Sequence, residues 1–207
     1  KLKLIYTPLN GTGNKPVREV LRRAGFDDVT VVPSQEKPDG HFPTCPYPNP
    51  EIRQAFEEAL KLAEGKDVDL LLATDPDCDR VGIAVNTGDD YRLMSGNEVG
   101  VLLTEYILSS MKETGTLPKD PVIVKSFVTT SLVDRVAESY GCAIHAVLTG
   151  FKNIGAFATN LEKKKEGDQK CGGGPVVFFA PSVHHVIREL IVDTAKKKKI
   201  PFQRAAA

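Results

Sequence analysis

Short hydrophobic runs alternate with amphipathic segments along most of the chain. The runs LKLIY, VTVV, DLLLAT and VGIAV predict strands, while residues 15–24, 50–64 and 97–113 carry the pattern of helices. Asn49 is placed to cap the second helix, with Pro50 at its first position. This alternation of strands and helices is typical of an α/β fold with mostly parallel sheets.

A segment rich in Gly and Pro, ETGTLPKDP, interrupts the pattern near residue 118. The βαβ pattern then begins again, with VIVKSFV and AIHAVL as strands and TSLVDRVAESYG and GFKNIGAFATNLEKKK as helices. PVVFFA and the apolar residues that follow it predict one more strand and helix. We therefore predict two consecutive α/β domains, residues 1–118 and 119–204, and a tail at 205–207.

Two glycines follow the first predicted strand in the segment TPLNGTGNKP. A dinucleotide-binding fingerprint requires a third glycine where Pro16 stands, so Gly11 and Gly13 are a weak signal for such a site. We expect them to form a tight turn that leads into the first helix.

Composition and charge exclude several classes of protein. Hydrophobic residues make up 41% and charged residues 26% of the 207 residues, as in ordinary globular proteins. Lys plus Arg and Asp plus Glu number 27 each, so no charge excess predicts a nucleic-acid or membrane partner. No apolar run is long enough to span a bilayer. The four cysteines lack the paired spacing of a zinc site, and we expect reduced thiols and a cytoplasmic location.

Three aspartates alternate directly after the predicted strand DLLLAT. Asp75, Asp77 and Asp79 can lie on one side of an extended loop, where their charges repel unless a cation is shared. Oxygen ligands suit magnesium, calcium or manganese. An EF-hand loop is excluded, because Arg80 and Asn86 stand where that motif requires Gly and Glu.

A solvated acidic turn remains the alternative to a metal site on spacing alone. The position of the cluster favours the metal site, because open α/β sheets bind ligands beyond the carboxyl ends of their strands. Arg80 follows the cluster directly and is suited to bind a phosphate group. The sequence therefore predicts a metal and phosphate site at this strand end.

The stretch ATDPDCDRVGIAV resembles the metal-binding loop of the α-D-phosphohexomutases, the phosphoglucomutase and phosphomannomutase family. YTPLNGTG, FPTCPYPNPE, LMSGNEVGVLL, VKSFVTTSLVDRVAESYG and LTGFKNIG resemble successive stretches of the second and third domains of that family, in the same order. The resemblance covers about residues 1–165. It implies phosphoryl transfer between the C1 and C6 oxygens of a hexose phosphate through a sugar bisphosphate.

The resemblance also implies roles for the acidic loop. Asp75, Asp77 and Asp79 match the magnesium ligands of the family, and Arg80 matches a catalytic arginine near the transferring phosphoryl group. Asp79 and Arg80 are also expected to contact the substrate. The cofactor expected is one Mg²⁺ ion, and the complete enzyme is expected to need an activator of the glucose 1,6-bisphosphate type.

A second set of substrate-binding residues is implied further along the chain. Thr149 and Gly150 match the family residues that approach the sugar phosphate. Lys152 lies in the same loop, where it either adds positive charge for the substrate or is a solvated lysine at a helix start.

The chain departs from the family in several places. No segment resembles the serine loop of domain 1 or the phosphate-binding loop of domain 4, so we expect a fragment whose partners are those missing domains and a sugar phosphate. Residues 172–204 weakly resemble a segment of the glutamyl and deblocking aminopeptidases, without any metal ligand of that family. The alternative is a noncatalytic binding module or a chimeric α/β protein that retains the acidic loop. Glucose, mannose and pentose phosphates all remain open as substrates.

Overall fold

The computed structural model describes residues 2–167 and 173–179. These residues divide into two compact units, one ending at Ser95 and the other beginning at Gly96. Both units combine strands and helices, which confirms the predicted α/β class.

The first unit contains five strands, four of which coincide with the predicted runs LKLIY, VTVV, DLLLAT and VGIAV. Its elements in chain order are β1 (Leu4–Thr7), α1 (Asn14–Ala24), β2 (Val29–Val31), 3₁₀ turns at Pro33–Gln35 and Arg53–Phe56, α2 (Glu57–Ala63), β3 (Leu70–Thr74), β4 (Val81–Asn86) and β5 (Tyr91–Met94). The strand β5 was not predicted.

The sheet of the first unit is mixed. Its strand order is β2-β1-β3-β4-β5, with β1 parallel to both neighbours and β4 antiparallel to β3 and β5. All four residues of β1 are buried, as expected for a strand covered on both faces. Because Thr74 pairs with Val81, the acidic loop connects β3 directly to β4 at the carboxyl end of β3.

The second unit is built around a three-stranded sheet in the order β7-β6-β8, in which all pairings are parallel. Its elements are α3 (Gly96–Glu113), β6 (Asp120–Ser126), α4 (Leu132–Ser139), β7 (Ala143–Val147), α5 (Phe151–Gly167) and β8 (Gly173–Phe179). Residues 175–179 of the strand predicted at PVVFFA lie within β8. The helix predicted after it, the domain end at 204 and the tail at 205–207 lie outside the described residues.

The division between the units differs from the boundary predicted near residue 118. Helix α3 was assigned to the first domain, but its residue Leu108 is buried in one cluster with Val133 and Ala137 of α4. The Gly and Pro residues after α3 end that helix instead of linking two domains. Gly115 adopts a φ of 66°, and Thr116 N–H donates to the Met111 carbonyl at 2.8 Å, a common way to end a helix.

The second predicted helix also begins later than its sequence pattern indicates. Residues 50–52 are not helical, and a 3₁₀ turn precedes the α-helix, which starts only at Glu57. Asn49 Oδ1 accepts a hydrogen bond from Glu51 N–H at 3.0 Å, so Asn49 forms a local turn before the helix. Among the described residues, no helix has the length and apolar character that a membrane span needs.

Candidate metal centre

The three aspartates of the acidic loop converge in the structure. Each of Asp75, Asp77 and Asp79 offers a carboxylate oxygen, and these oxygens lie within 4.8 Å of one another. The loop turns back on itself and is not extended: Cys78 N–H donates to the Asp75 carbonyl at 3.0 Å, and Cys78 has a left-handed φ of 60°. Asp75 is buried whereas Asp77 is exposed, so the cluster runs from the core to the surface.

Arg80 ties the end of the loop back to its first residue. Its backbone N–H donates to Asp75 Oδ1 and its Nε–H donates to Asp75 Oδ2, both at 2.9 Å. The same Nε lies 3.5 Å from Asp79 Oδ1. Its Nη1–H donates to Asn49 Oδ1 at 3.3 Å. The guanidinium is thus held beside the carboxylates that the sequence predicts as metal ligands.

The carboxylates have different electrostatic environments. Burial raises the pKa of Asp75, but the hydrogen bonds from Arg80 and Asp79 outweigh it and leave that pKa below its usual value. The pKa of Asp79 is raised by the hydrogen bond it shares with Asp75, by partial burial and by the charges of Asp75 and Asp77. Asp75 is therefore compensated by arginine, whereas at Asp79 the repulsion from the other carboxylates outweighs the charge of Arg80, and a cation would relieve it.

The loop between β1 and α1 packs against the acidic loop and is hydrogen-bonded to it. Thr12 donates to the Pro76 carbonyl through both its backbone N–H, at 2.8 Å, and its hydroxyl, at 3.1 Å. A Cβ atom on Gly11 would lie 2.5 Å from that same carbonyl oxygen. The left-handed turn itself is made by Leu9 and Asn10, with φ of 48° and 56°. The predicted tight turn is present, but Gly11 is there for close approach of two backbones.

Gly13 lies equally close to the end of β3. A Cβ atom there would be 2.6 Å from both Thr74 Oγ1 and Tyr6 Oη, which hydrogen-bond each other at 2.8 Å in the core. It would also be 3.0 Å from Cys78 Sγ. The absence of side chains at both glycines lets the acidic loop pack on the first strand and its loop.

A cleft of about 570 Å³ opens beside the loop. Asp75, Asp77 and Arg80 line its polar side, and Tyr47, Asn49 and Ile52 are among the residues that line the rest. Tyr47 is 79% exposed, so its ring is available to a bound molecule. The sequence did not single out Tyr47, and it assigned Asn49 only to a helix cap. Their position in the motif TCPYPNPE is the signal that could have pointed to them.

Thr149, Gly150 and Lys152 belong to the second unit, where β7 leads into α5. All three are exposed, and Gly150 has a φ of 118°. The turn is closed by Asn153, whose backbone N–H donates to the Gly150 carbonyl and whose Nδ2 donates to the Thr149 carbonyl, both at 3.0 Å. These three residues therefore lie together at the start of α5, within the second unit.

An α/β unit with a carboxylate triad and an arginine at a strand end has the donor groups expected of a metal-dependent phosphate-binding protein. Comparison with models of protein families identifies the family of the chain. Residues 1–88 match the phosphoglucomutase/phosphomannomutase alpha/beta/alpha domain II, and residues 95–167 match alpha/beta/alpha domain III. The chain belongs to the phosphoglucomutase/phosphomannomutase family. The ordered match of both domains does not favour the alternative of a chimeric or unrelated binding module.

Individual relatives agree with the family. A phosphoglucomutase of Staphylococcus saprophyticus is 37% identical over 169 residues, covering 81% of this chain and 30% of the relative. A phosphoribomutase of Saccharomyces cerevisiae is also 37% identical over 169 residues, covering 77% of this chain and 27% of the relative. The chain thus spans about 30% of the length of the curated relatives it matches.

A solved structure shares the fold. Aspergillus fumigatus N-acetylphosphoglucosamine mutase, in complex with GlcNAc-6P and magnesium, aligns with a TM-score of 0.55 at 18% identity. The alignment covers 77% of this chain and 33% of that one. At this level of identity the likeness concerns the architecture of the described units.

Proposed function

We propose that this chain is the metal-binding part and a portion of the sugar-binding part of a phosphoglucomutase or phosphomannomutase. The complete enzyme would interconvert hexose 1-phosphate and hexose 6-phosphate. The observation that carries this proposal is the convergence of three carboxylates and Arg80 at the carboxyl end of β3, in a chain of this family.

The donor set fits a magnesium ion. Two oxygen ligands on opposite sides of Mg²⁺ lie about 4.2 Å apart, since each bond is about 2.1 Å long. The carboxylate oxygens of Asp75, Asp77 and Asp79 lie within 4.8 Å of one another, so a small adjustment brings all three onto one ion. When bound, the ion supplies charge neutralisation for the oxygens of a phosphoryl group. Its further positions are left for water or a phosphate oxygen.

Arg80 is proposed as the catalytic arginine. Phosphoryl transfer depends mainly on positioning and on neutralising charge, and a guanidinium fixed beside the triad provides both for the transferring group. The phosphoserine that exchanges its phosphoryl group with the sugar is proposed to lie outside this chain, in domain 1. As the serine–phosphoryl bond breaks, a sugar hydroxyl oxygen forms the new bond to phosphorus, and the proton lost by that hydroxyl is balanced by protonation of the serine oxygen. The resulting sugar bisphosphate then returns its other phosphoryl group to the serine hydroxyl by the reverse exchange.

The remaining proposals concern substrate binding by the second unit and the further domains of the complete enzyme. Thr149, Gly150 and Lys152 are proposed to bind the sugar phosphate, and Asp79 to contact the substrate as well as the ion. Domains 1 and 4 complete the enzyme, a glucose 1,6-bisphosphate-type compound activates it, and its location is cytoplasmic. The sugar can be glucose, mannose or a pentose, because a phosphoglucomutase, a phosphomannomutase and a phosphoribomutase are all 32–37% identical to this chain.

Calorimetric titration of the chain with MgCl₂ tests the metal site. We expect saturable binding of one ion and a loss of affinity of about tenfold or more in Asp77→Asn, which removes one anionic ligand. Asp89→Asn is the matched control, because Asp89 is an exposed aspartate between β4 and β5. Wild-type protein without Mg²⁺ or Mn²⁺ binding, or equal affinities in Asp77→Asn and wild type, would refute the site.

A further inference from the structure

We infer that Asn49 is a positioning residue for Arg80, which it holds in the orientation needed to receive a phosphate group. This inference rests on the proposed function, because it concerns how the arginine of the same site is kept ready. The contact that carries it is the hydrogen bond from Arg80 Nη1 to Asn49 Oδ1 at 3.3 Å, between residues 31 positions apart in the chain.

Asn49 is itself fixed from two directions. Its Oδ1 accepts a second hydrogen bond from Glu51 N–H at 3.0 Å, which sets the rotamer of the side chain. The next residue, Pro50, places its carbonyl directly over Gly82 of β4, so closely that any Cβ atom on Gly82 would overlap it. The position of the Asn49 amide oxygen is therefore fixed by the turn to Glu51 and by the packing of Pro50 against the sheet.

The guanidinium of Arg80 is consequently held at two points. Asp75 binds Nε at 2.9 Å, and Asn49 binds Nη1 at 3.3 Å. The Asn49 contact opposes rotation about the Nε–Cζ bond, because Nη1 moves in that rotation whereas Nε lies on its axis. Within residues 2–167 and 173–179, Nη2 makes no hydrogen bond, and Arg80 lines the open cleft. Nη2 and the second N–H of Nη1 are thus the donors available to an anion in that cleft.

An amide is better suited to this role than a carboxylate. An aspartate at position 49 could accept the same two hydrogen bonds, but its charge would compete with an incoming phosphate for Arg80. The neutral oxygen of Asn49 fixes the guanidinium without adding to the negative charge of Asp75, Asp77 and Asp79. Fixing one long side chain in advance is expected to strengthen phosphate binding by about two- to tenfold.

The test is side-chain NMR of the ¹⁵N,¹³C-labelled chain, in which Arg80→Lys assigns the Arg80 guanidinium signal. We expect slow rotation about Nε–Cζ for Arg80 and faster rotation for Arg135 of α4, whose ion pair with Glu138 at 3.1 Å is exposed to solvent and therefore weak. Asn49→Ser keeps an oxygen that can close the local turn but cannot reach Arg80, so rotation should become fast. Asn49→Asp keeps both acceptor contacts, and slow rotation should be restored.

Titration with inorganic phosphate in the presence of Mg²⁺ measures the consequence. We expect affinity for phosphate to fall by about two- to tenfold in Asn49→Ser, with Mg²⁺ affinity and thermal midpoint unchanged. In the Arg80→Lys background, Asn49→Ser should have no further effect. Fast Arg80 rotation in wild type, slow rotation in Asn49→Ser, or equal phosphate affinities would each overturn the inference. Absence of Mg²⁺ and phosphate binding in wild type would instead refute the proposed function, while the rotation rates still decide whether Asn49 holds Arg80.

Discussion

The substitution Gly11→Ala tests whether the loop after β1 holds the acidic loop in its metal-binding shape. The alanine Cβ would lie 2.5 Å from the Pro76 carbonyl oxygen and would overlap Pro76 Cα. An ordinary contact begins at 3.4 Å, so the two backbones must separate by about 1 Å. Gly11 is not among the glycines with positive φ, so the clash is the reason for any effect.

The displacement falls between two proposed ligands, because Pro76 separates Asp75 from Asp77. Mg²⁺ requires nearly ideal octahedral geometry with bonds of about 2.1 Å, and a shift of about 1 Å is large on that scale. We expect Mg²⁺ affinity to fall by about 10- to 100-fold, the range typical for loss of groups that orient metal ligands. The free energy of unfolding should fall by about 1–3 kcal/mol, as for other overpacked sites.

Calorimetric titration with MgCl₂ and thermal unfolding provide the two measurements. Gly40→Ala is the matched control: Gly40 lies in the same unit, with nothing within 4 Å of its added Cβ. We expect wild-type Mg²⁺ affinity in that control. A folded Gly11→Ala protein that binds Mg²⁺ as tightly as wild type would show that the acidic loop does not depend on this contact.

Two further substitutions test the energetics of the units. Lys125 is buried at the end of β6 and pairs with Asp134 at 2.7 Å, so Lys125→Met should lower the free energy of unfolding by about 3 kcal/mol in a denaturant titration. Hydrogen bonds from Arg22 and Arg23 lower the pKa of Glu19 from 4.5 to about 2. Its stabilisation is thus present above pH 4.5 and lost as the pH falls toward 2, and the midpoint difference between wild type and Glu19→Gln should vanish over that range.

Local pattern was sufficient for most elements of the fold. The buried runs of β1, β3 and β6 and the amphipathic helices α1 and α3 were predicted within one to three residues, because each carries its own periodicity. The acidic loop was predicted for the same reason, since its three aspartates are neighbours in sequence. The strand β5 was missed because Tyr91–Met94 is short and mixes polar with apolar residues.

Where a feature depends on contacts between residues distant in sequence, its prediction was wrong or was not made. Pro50 after Asn49 has the local signature of a helix start. In the structure the Pro50 carbonyl packs against Gly82 of β4, and the α-helix begins only at Glu57. The Gly and Pro residues near 118 have the composition of a linker, but burial of Leu108 against α4 places α3 in the second unit. The role of Gly11 also depends on a residue 65 positions away, Pro76, which the local sequence does not contain.

The contacts made by Arg80 and Thr12 both oppose the electrostatic repulsion among the three carboxylates. Three ionised carboxylates and one guanidinium sum to −3 + 1 = −2, which a divalent cation neutralises. Without support, carboxylates this close would separate by repulsion. Arg80 offsets part of that repulsion at Asp75, and Thr12 holds Pro76 between the other ligands. The first unit thus uses its own backbone and one arginine to keep the triad together, so the proposed ligands already lie close to the arrangement that a divalent cation requires.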